Sequence, residues 1–312
     1  MKPEIIIVNK HYARTEEVLE REFSCYKLYE APSREELLKE VAPRVRGLAT
    51  FGPPGADGPF MDRFPKLEII ANFGVGVDAI DLAAAKARNV IVTNTPDVLN
   101  ECVADCGMAL VLNTLRKFPQ SEAYLRSGYW ATRGTYPFTT ALGGKTLGVL
   151  GLGRIGEAVA KRALAFGMKI RYHNRNKKDV PYSYDPDPVA LAKNSDVLVV
   201  VTPGGPETAG IINAKVLDAL GPDGYLVNIA RGSVVDEPVL LKYLQEGRIA
   251  GAGLDVYADE PNVPPAFFAL DNAVLLPHVA SATVETRTAM GNLQIENLRR
   301  HFGGKPLLTR VV

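Results

Sequence analysis

Short apolar runs recur along this chain. They alternate with stretches in which apolar positions return every three or four residues. The runs predict buried strands, and the intervening stretches predict helices laid against them. In the N-terminal third the runs fall at 5–8, 26–29, 47–50, 68–71 and 90–93, with helical patterns at 16–22, 35–41 and 81–88. A Gly/Pro-rich loop extends to Pro59. A longer helix is predicted over 101–115, with Asn100 as a cap candidate, Glu101 in the first turn and Pro119 closing it. A polar, aromatic segment, 127–140, leads to an apolar run that ends at Leu150. Alternation then resumes, with strands at 168–173, 197–202, 225–229, 250–256 and 273–276, and helices at 189–192, 214–220, 237–246 and 282–302. Such alternation predicts an α/β fold whose parallel sheets are covered on both faces. With 312 residues there is room for two such doubly wound lobes.

Two glycine motifs follow predicted strands. Gly151-Leu152-Gly153-Arg154-Ile155-Gly156 fits G-x-G-x-x-G and opens a helical stretch. Gly74-Val75-Gly76-Val77-Asp78-Ala79 fits G-x-G-x-x-A. In a dinucleotide site, a side chain about 20 residues beyond the motif meets the adenosine ribose. Beyond Gly74 that region carries no charge, whereas beyond Gly151 it reads His173-Asn174-Arg175-Asn176-Lys177-Lys178. The dinucleotide therefore belongs to the second motif, where helix N-terminal amides suit a pyrophosphate. No acid stands there to accept from a ribose hydroxyl, and Arg175 can pair with a 2′-phosphate, so NADP(H) is expected in preference to NAD(H). The first motif has two readings: backbone donors for a small anion such as a carboxylate, or only a tightly packed turn.

Three further segments place Arg231, Glu260 and His278 just beyond successive predicted strands. Ligands of open α/β sheets sit beyond the carboxyl ends of strands. The histidine suits proton donation near neutral pH, the carboxylate suits orienting its ring, and the arginine suits clamping a 2-oxo acid. Singly, each has a plainer reading as a loop charge, a surface cation or a hydrogen-bonded structural histidine.

With these motifs the chain resembles the D-isomer-specific 2-hydroxyacid dehydrogenases, and among them the glyoxylate/hydroxypyruvate reductases. The shared features run from Ala71-Asn-Phe-Gly-Val-Gly76 through Thr93-Asn-Thr-Pro96 and Gly151–Gly156 to Arg231, Glu260 and His278. The resemblance implies a Rossmann NAD(P)-binding domain, 100–283, inserted in a flavodoxin-like substrate domain, 1–99 plus 284–312. It implies that Arg231 binds and polarises the substrate, that His278 is the acid/base and that Glu260 partners it. Val75 and Gly76 would take the substrate carboxylate through their N–H groups, with Phe51 nearby. Cofactor contacts carry over onto Gly151 to Gly156, Asn174, Arg175, Asn176, Thr202, Ile229, Ala230, Asp255 and Ser281. A homodimer through the cofactor domains is implied too. Trp130 then either reaches the partner's active site or anchors the dimer interface.

The implied reaction is NADPH-dependent reduction of glyoxylate or hydroxypyruvate. Reduction of bulkier 2-oxo acids of the phenylpyruvate type is one alternative, and a non-enzymatic NAD(P)-sensing, corepressor-like protein is another. Bulk properties narrow little further. A net charge of +1 points to no nucleic acid and no anionic membrane. No apolar run approaches the roughly 18 residues that span a bilayer, and the N-terminus reads as a strand rather than a signal peptide. Cys25, Cys102 and Cys106 lack metal spacing and read as reduced thiols of a cytoplasmic protein, with no metal expected.

Overall fold

The computed structural model describes residues 2–312, which form two compact units, 2–99 with 283–312, and 100–282. The first holds strands β1 (Glu4–Ile7), β2 (Ser24–Lys27), β3 (Gly47–Thr50), β4 (Ile69–Asn72) and β5 (Ile91–Thr93), in the spatial order β2-β1-β3-β4-β5. All these pairings are parallel, and the order is the flavodoxin-like one, reversing direction between β1 and β3.

Side chains alternate across this sheet. Ile6, Leu48 and Ile70 face a layer that includes Leu38, Val41 and Met61. Ile5, Ile7, Ala49 and Ile69 face Leu19, Ile295 and Leu298. Burial on both faces explains why the strands read as unbroken apolar runs. Each such leucine, isoleucine, valine or methionine contributes about 1.5–3 kcal/mol through loss of apolar surface to water. The helix Val284–Phe302 supplies Ile295 and Leu298, so the end of the chain completes the core of its first third.

The second unit holds β6 (Thr146–Leu150), β7 (Lys169–His173), β8 (Ser183–Tyr184), β9 (Val197–Val200), β10 (Tyr225–Asn228), β11 (Gly251–Leu254) and β12 (Ala273–Leu275), ordered β12-β11-β10-β9-β6-β7-β8. Counted from β6 this is the Rossmann order 3-2-1-4-5-6 extended by one strand. It reverses between β6 and β9, the place where such sheets open a crevice for a ligand.

Two local readings need correction. Pro119 does not close the long helix. That helix, Asn100–Arg116, ends because Lys117 turns to φ 48°, and Pro119 opens a further helix, Phe118–Arg126. Proline fits a first turn, where its missing N–H has no partner to lose. Within the polar, aromatic segment 127–140, Tyr129–Arg133 is helical. The strand read at 26–29 lies at Ser24–Lys27, because register with β1 pairs Glu4 with Ser24 and Ile7 with Lys27.

Candidate active site

The glycine turn follows β6 at the reversal of the second sheet. Gly151 has φ 99°, a left-handed conformation that side chains rarely adopt, and a Cβ there would sit 2.7 Å from the Thr202 nitrogen. A Cβ on Gly156 would meet the Gly151 carbonyl oxygen at 2.3 Å, so turn and helix close on each other. A Cβ on Gly153 would meet nothing within 4 Å, which leaves open space where a pyrophosphate would approach. These are the three separate demands a dinucleotide turn makes of its glycines, and the turn fits the group. Leu152, Arg154 and Ile155 complete it, the last two in the first turn of the helix Arg154–Ala165.

Asn174 acts on the turn itself. Its Oδ1 accepts from the Leu152 N–H at 2.6 Å and its Nδ2 donates to the Leu152 carbonyl. Arg175 and Asn176 are exposed beyond β7, and Arg175 pairs with Glu207 at 2.7 Å. Thr202 follows β9, packed against Gly151. Ile229 and Ala230 are buried beyond β10, and the Ile229 side chain turns inward toward Gly107.

Strands β10, β11 and β12 are parallel neighbours, so their carboxyl ends share one edge. Arg231 lies three residues beyond β10, Glu260 six beyond β11 and His278 three beyond β12. The three loops are stitched together. Asp255 N–H donates to the Asn228 carbonyl at 3.0 Å, and His278 N–H donates to the Asp255 carbonyl at 2.9 Å. Gly232 lets the Arg231 loop lie against the next one, because a Cβ there would sit 1.8 Å from the Tyr257 carbonyl carbon. Asn228, almost fully buried, donates to the Arg231 carbonyl and accepts from the Ala230 N–H.

His278 Nδ1 lies 2.6 Å from Glu260 Oε2, while Glu260 Oε1 accepts from the Tyr257 N–H at 3.0 Å. Burial pushes the Glu260 carboxyl up, but the His278 ring, the Tyr257 amide and the Arg231 charge outweigh it and hold the group below its usual range. Glu260 is therefore a carboxylate at neutral pH. It fixes the proton of His278 on Nδ1 and leaves Nε2 to face a ligand.

His278 itself has φ 52°, a strained backbone for a residue with a side chain. Asp255 holds it there: its two oxygens accept from the Val279 and Ala280 N–H groups at 2.7 and 2.9 Å. Burial raises the Asp255 carboxyl above its ordinary value against the pull of those amides. Ser281 follows in the same loop. Asn228 and the loop-holding action of Asp255 were not read from sequence. The available signal was a lone polar residue at the end of an apolar run, in both Val227-Asn228 and Leu254-Asp255.

The remaining candidates stand on other segments. Val75, Gly76 and Phe51 belong to the first unit, beyond β4 and β3. Phe51 packs edge-on to Phe73, and its N–H donates to Asn9 Oδ1, whose Nδ2 donates to the Pro53 carbonyl. Trp130 is 63% exposed on the short helix Tyr129–Arg133 of the second unit. Among the described residues no helix is long and apolar enough to cross a membrane.

Residues 108–280 match the family model for the NAD-binding domain of D-isomer specific 2-hydroxyacid dehydrogenases. A hydroxyphenylpyruvate reductase from Plectranthus scutellarioides is 48% identical over 298 residues, 95% of each chain. A glyoxylate/hydroxypyruvate reductase A from Arabidopsis thaliana is also 48% identical over 95% of each. The solved structure of an NADPH-dependent glyoxylate/hydroxypyruvate reductase from Sinorhizobium meliloti, in complex with NADP and malonate, superposes with a TM-score of 0.94 at 46% identity. That likeness covers 100% of this chain and 97% of the other. On this likeness, and on the glycine turn and strand-end residues described above, the chain belongs to the D-isomer-specific 2-hydroxyacid dehydrogenase family.

Proposed function

We propose that the protein reduces glyoxylate and hydroxypyruvate to glycolate and D-glycerate with NADPH. The observation that carries this reading is the His278–Glu260 contact at 2.6 Å, held with Arg231 on three stitched strand ends. Residues Gly151 to Gly156 would hold the pyrophosphate of the cofactor, which supplies a hydride when bound. Arg231 would engage the carboxylate and carbonyl of the substrate. The N–H groups of Val75 and Gly76, in the first unit, are candidate carboxylate donors. His278 Nε2 would give its proton to the carbonyl oxygen as the carbon is reduced, and the Glu260 carboxylate would stabilise the imidazolium before transfer.

Arg175 would pair with the 2′-phosphate and so select NADPH over NADH. Asn176, Thr202, Ile229, Ala230, Asp255 and Ser281 stand as cofactor-contact candidates on the ends of the same strands. The exposed Phe118, Leu125, Trp130 and Phe138 of the second unit support a homodimer through that unit. The three free cysteines support a cytoplasmic setting.

The 48% identity to a hydroxyphenylpyruvate reductase favours one second reading, an aromatic 2-oxo acid as substrate. Steady-state kinetics with glyoxylate, hydroxypyruvate and 4-hydroxyphenylpyruvate, each with NADPH and NADH, separate the two. The first reading requires higher kcat/KM for the small acids with NADPH. Turnover confined to the aromatic acid replaces it with the second, and a preference for NADH removes the role given to Arg175.

A further inference from the structure

The turn beyond β4 shows an arrangement that its glycine pattern alone does not explain. Three successive carbonyl oxygens, those of Gly74, Val75 and Gly76, are each held by a donor from the protein. Asn72 Nδ2 donates to Gly74 O at 3.1 Å and to Gly76 O at 2.9 Å. Asn94 Nδ2 donates to Val75 O at 2.9 Å. The Thr95 N–H donates to Gly74 O, and the Thr95 hydroxyl accepts from the Gly74 N–H, both at 2.9 Å. Gly74 reaches this shape with φ 148°.

In a planar trans peptide the carbonyl of one residue and the N–H of the next point in opposite directions. Drawing the carbonyls of residues 74, 75 and 76 toward Asn72, Asn94 and Thr95 therefore turns the N–H groups of Val75, Gly76 and Val77 the other way. None of these three N–H groups has a hydrogen-bond partner among the described residues. Three adjacent donors left without partners can together serve an anion.

The holding side chains are themselves fixed. Asn72 is 3% exposed and Thr95 fully buried. The Asn94 backbone is tied to the terminal segment, its carbonyl accepting from the Thr309 hydroxyl at 2.6 Å, and that hydroxyl accepts from Asn297 Nδ2 at 2.7 Å.

We propose that Asn72 and Asn94 are positioning residues for carboxylate capture, and that Val77 N–H is a third donor beside those of Val75 and Gly76. This rests on the reading that the turn takes the substrate carboxylate. The two asparagines need not touch substrate. They keep three amides oriented before it arrives, so binding requires no reorientation of the backbone.

The test uses the full chain. Asn94→Ala removes one donor, and Asn72→Asp sets a carboxylate against the held carbonyls. KM for glyoxylate is expected to rise about five- to tenfold in Asn94→Ala, the scale of one lost hydrogen bond, and further in Asn72→Asp. Uniform loss of binding should leave kcat within about threefold, with KM for NADPH unchanged. An unchanged KM for glyoxylate in a folded variant overturns the proposal. So does a joint change in kcat and KM for NADPH, which a merely structural role would produce.

A second measurement stands apart from turnover. Acetate is titrated against the ¹⁵N-labelled protein while the Val75, Gly76 and Val77 amide signals are followed. They should shift in the wild-type chain and respond more weakly in Asn94→Ala. Absence of turnover on every 2-oxo acid with these shifts present would defeat the proposed reaction and leave the anion site standing. Absence of the shifts in the wild-type chain would defeat the anion site.

Discussion

Replacing Glu260 by Gln isolates the charge that partners His278. The substitution keeps the size of the side chain and an acceptor for the Tyr257 N–H, but it removes the negative charge 2.6 Å from Nδ1. A hydrogen bond to a charged group contributes about 1.5–3 kcal/mol. The two side chains here are 43% and 32% exposed, so solvent screening places the effect near the lower end. About 1.5 kcal/mol corresponds to roughly tenfold in rate. The assay is kcat/KM for glyoxylate at saturating NADPH from pH 5 to 9, with His278→Ala marking full loss of proton delivery, about 10²–10⁴-fold. A Gln variant within twofold of wild type at every pH would refute the claim that the Glu260 charge acts on the proton donor.

Four other outcomes follow from the structure. Arg175→Ala should raise KM for NADPH about tenfold and leave KM for NADH unchanged. Glu207→Gln, which frees Arg175 from an ion pair 2.7 Å long with both partners largely exposed, should lower KM for NADPH by at most about fivefold, and equal effects on both cofactors would contradict the pairing. Burial pushes the Cys25 and Cys106 thiols up to about 12, so iodoacetamide at pH 8 should leave both unlabelled in the folded protein and label both in urea; mass spectrometry reads the difference. Burial lowers the pKa of His11, although the Asn9 carbonyl and Glu16 pull the other way, so the unfolded chain binds more protons below about pH 6.5 and stability should fall as the pH drops through that value. The urea midpoint should therefore decline more between pH 7 and 5.5 in wild type than in His11→Gln, and parallel declines would show that His11 is not the group responsible.

Much of the architecture was legible in the chain because parallel strands buried on both faces must be short and apolar. The runs at Ile5–Ile7, Leu147–Leu150 and Val197–Val200 could be little else. The glycine turn was legible for a related reason: Gly151 needs a left-handed backbone and Gly156 a close approach, and both demands fall on residues near in sequence. Pro119 was misread because proline ends one helix and begins another equally well, and only Lys117 shows which occurred.

The spacing of Arg231, Glu260 and His278 beyond three strands was also plain in the sequence, as was their chemistry. Spacing could not show that Glu260 meets His278 ring to carboxylate. Nor could it show that buried Asp255 grips the amides of Val279 and Ala280, or that Asn72 and Asn94 turn one loop's carbonyls aside. These contacts join residues 4 to 25 positions apart, and most are short polar bonds across neighbouring loops. Local pattern determines which segments become strands and where the backbone must turn. Which polar groups meet at the strand ends is decided only when strand order and register bring separate loops side by side.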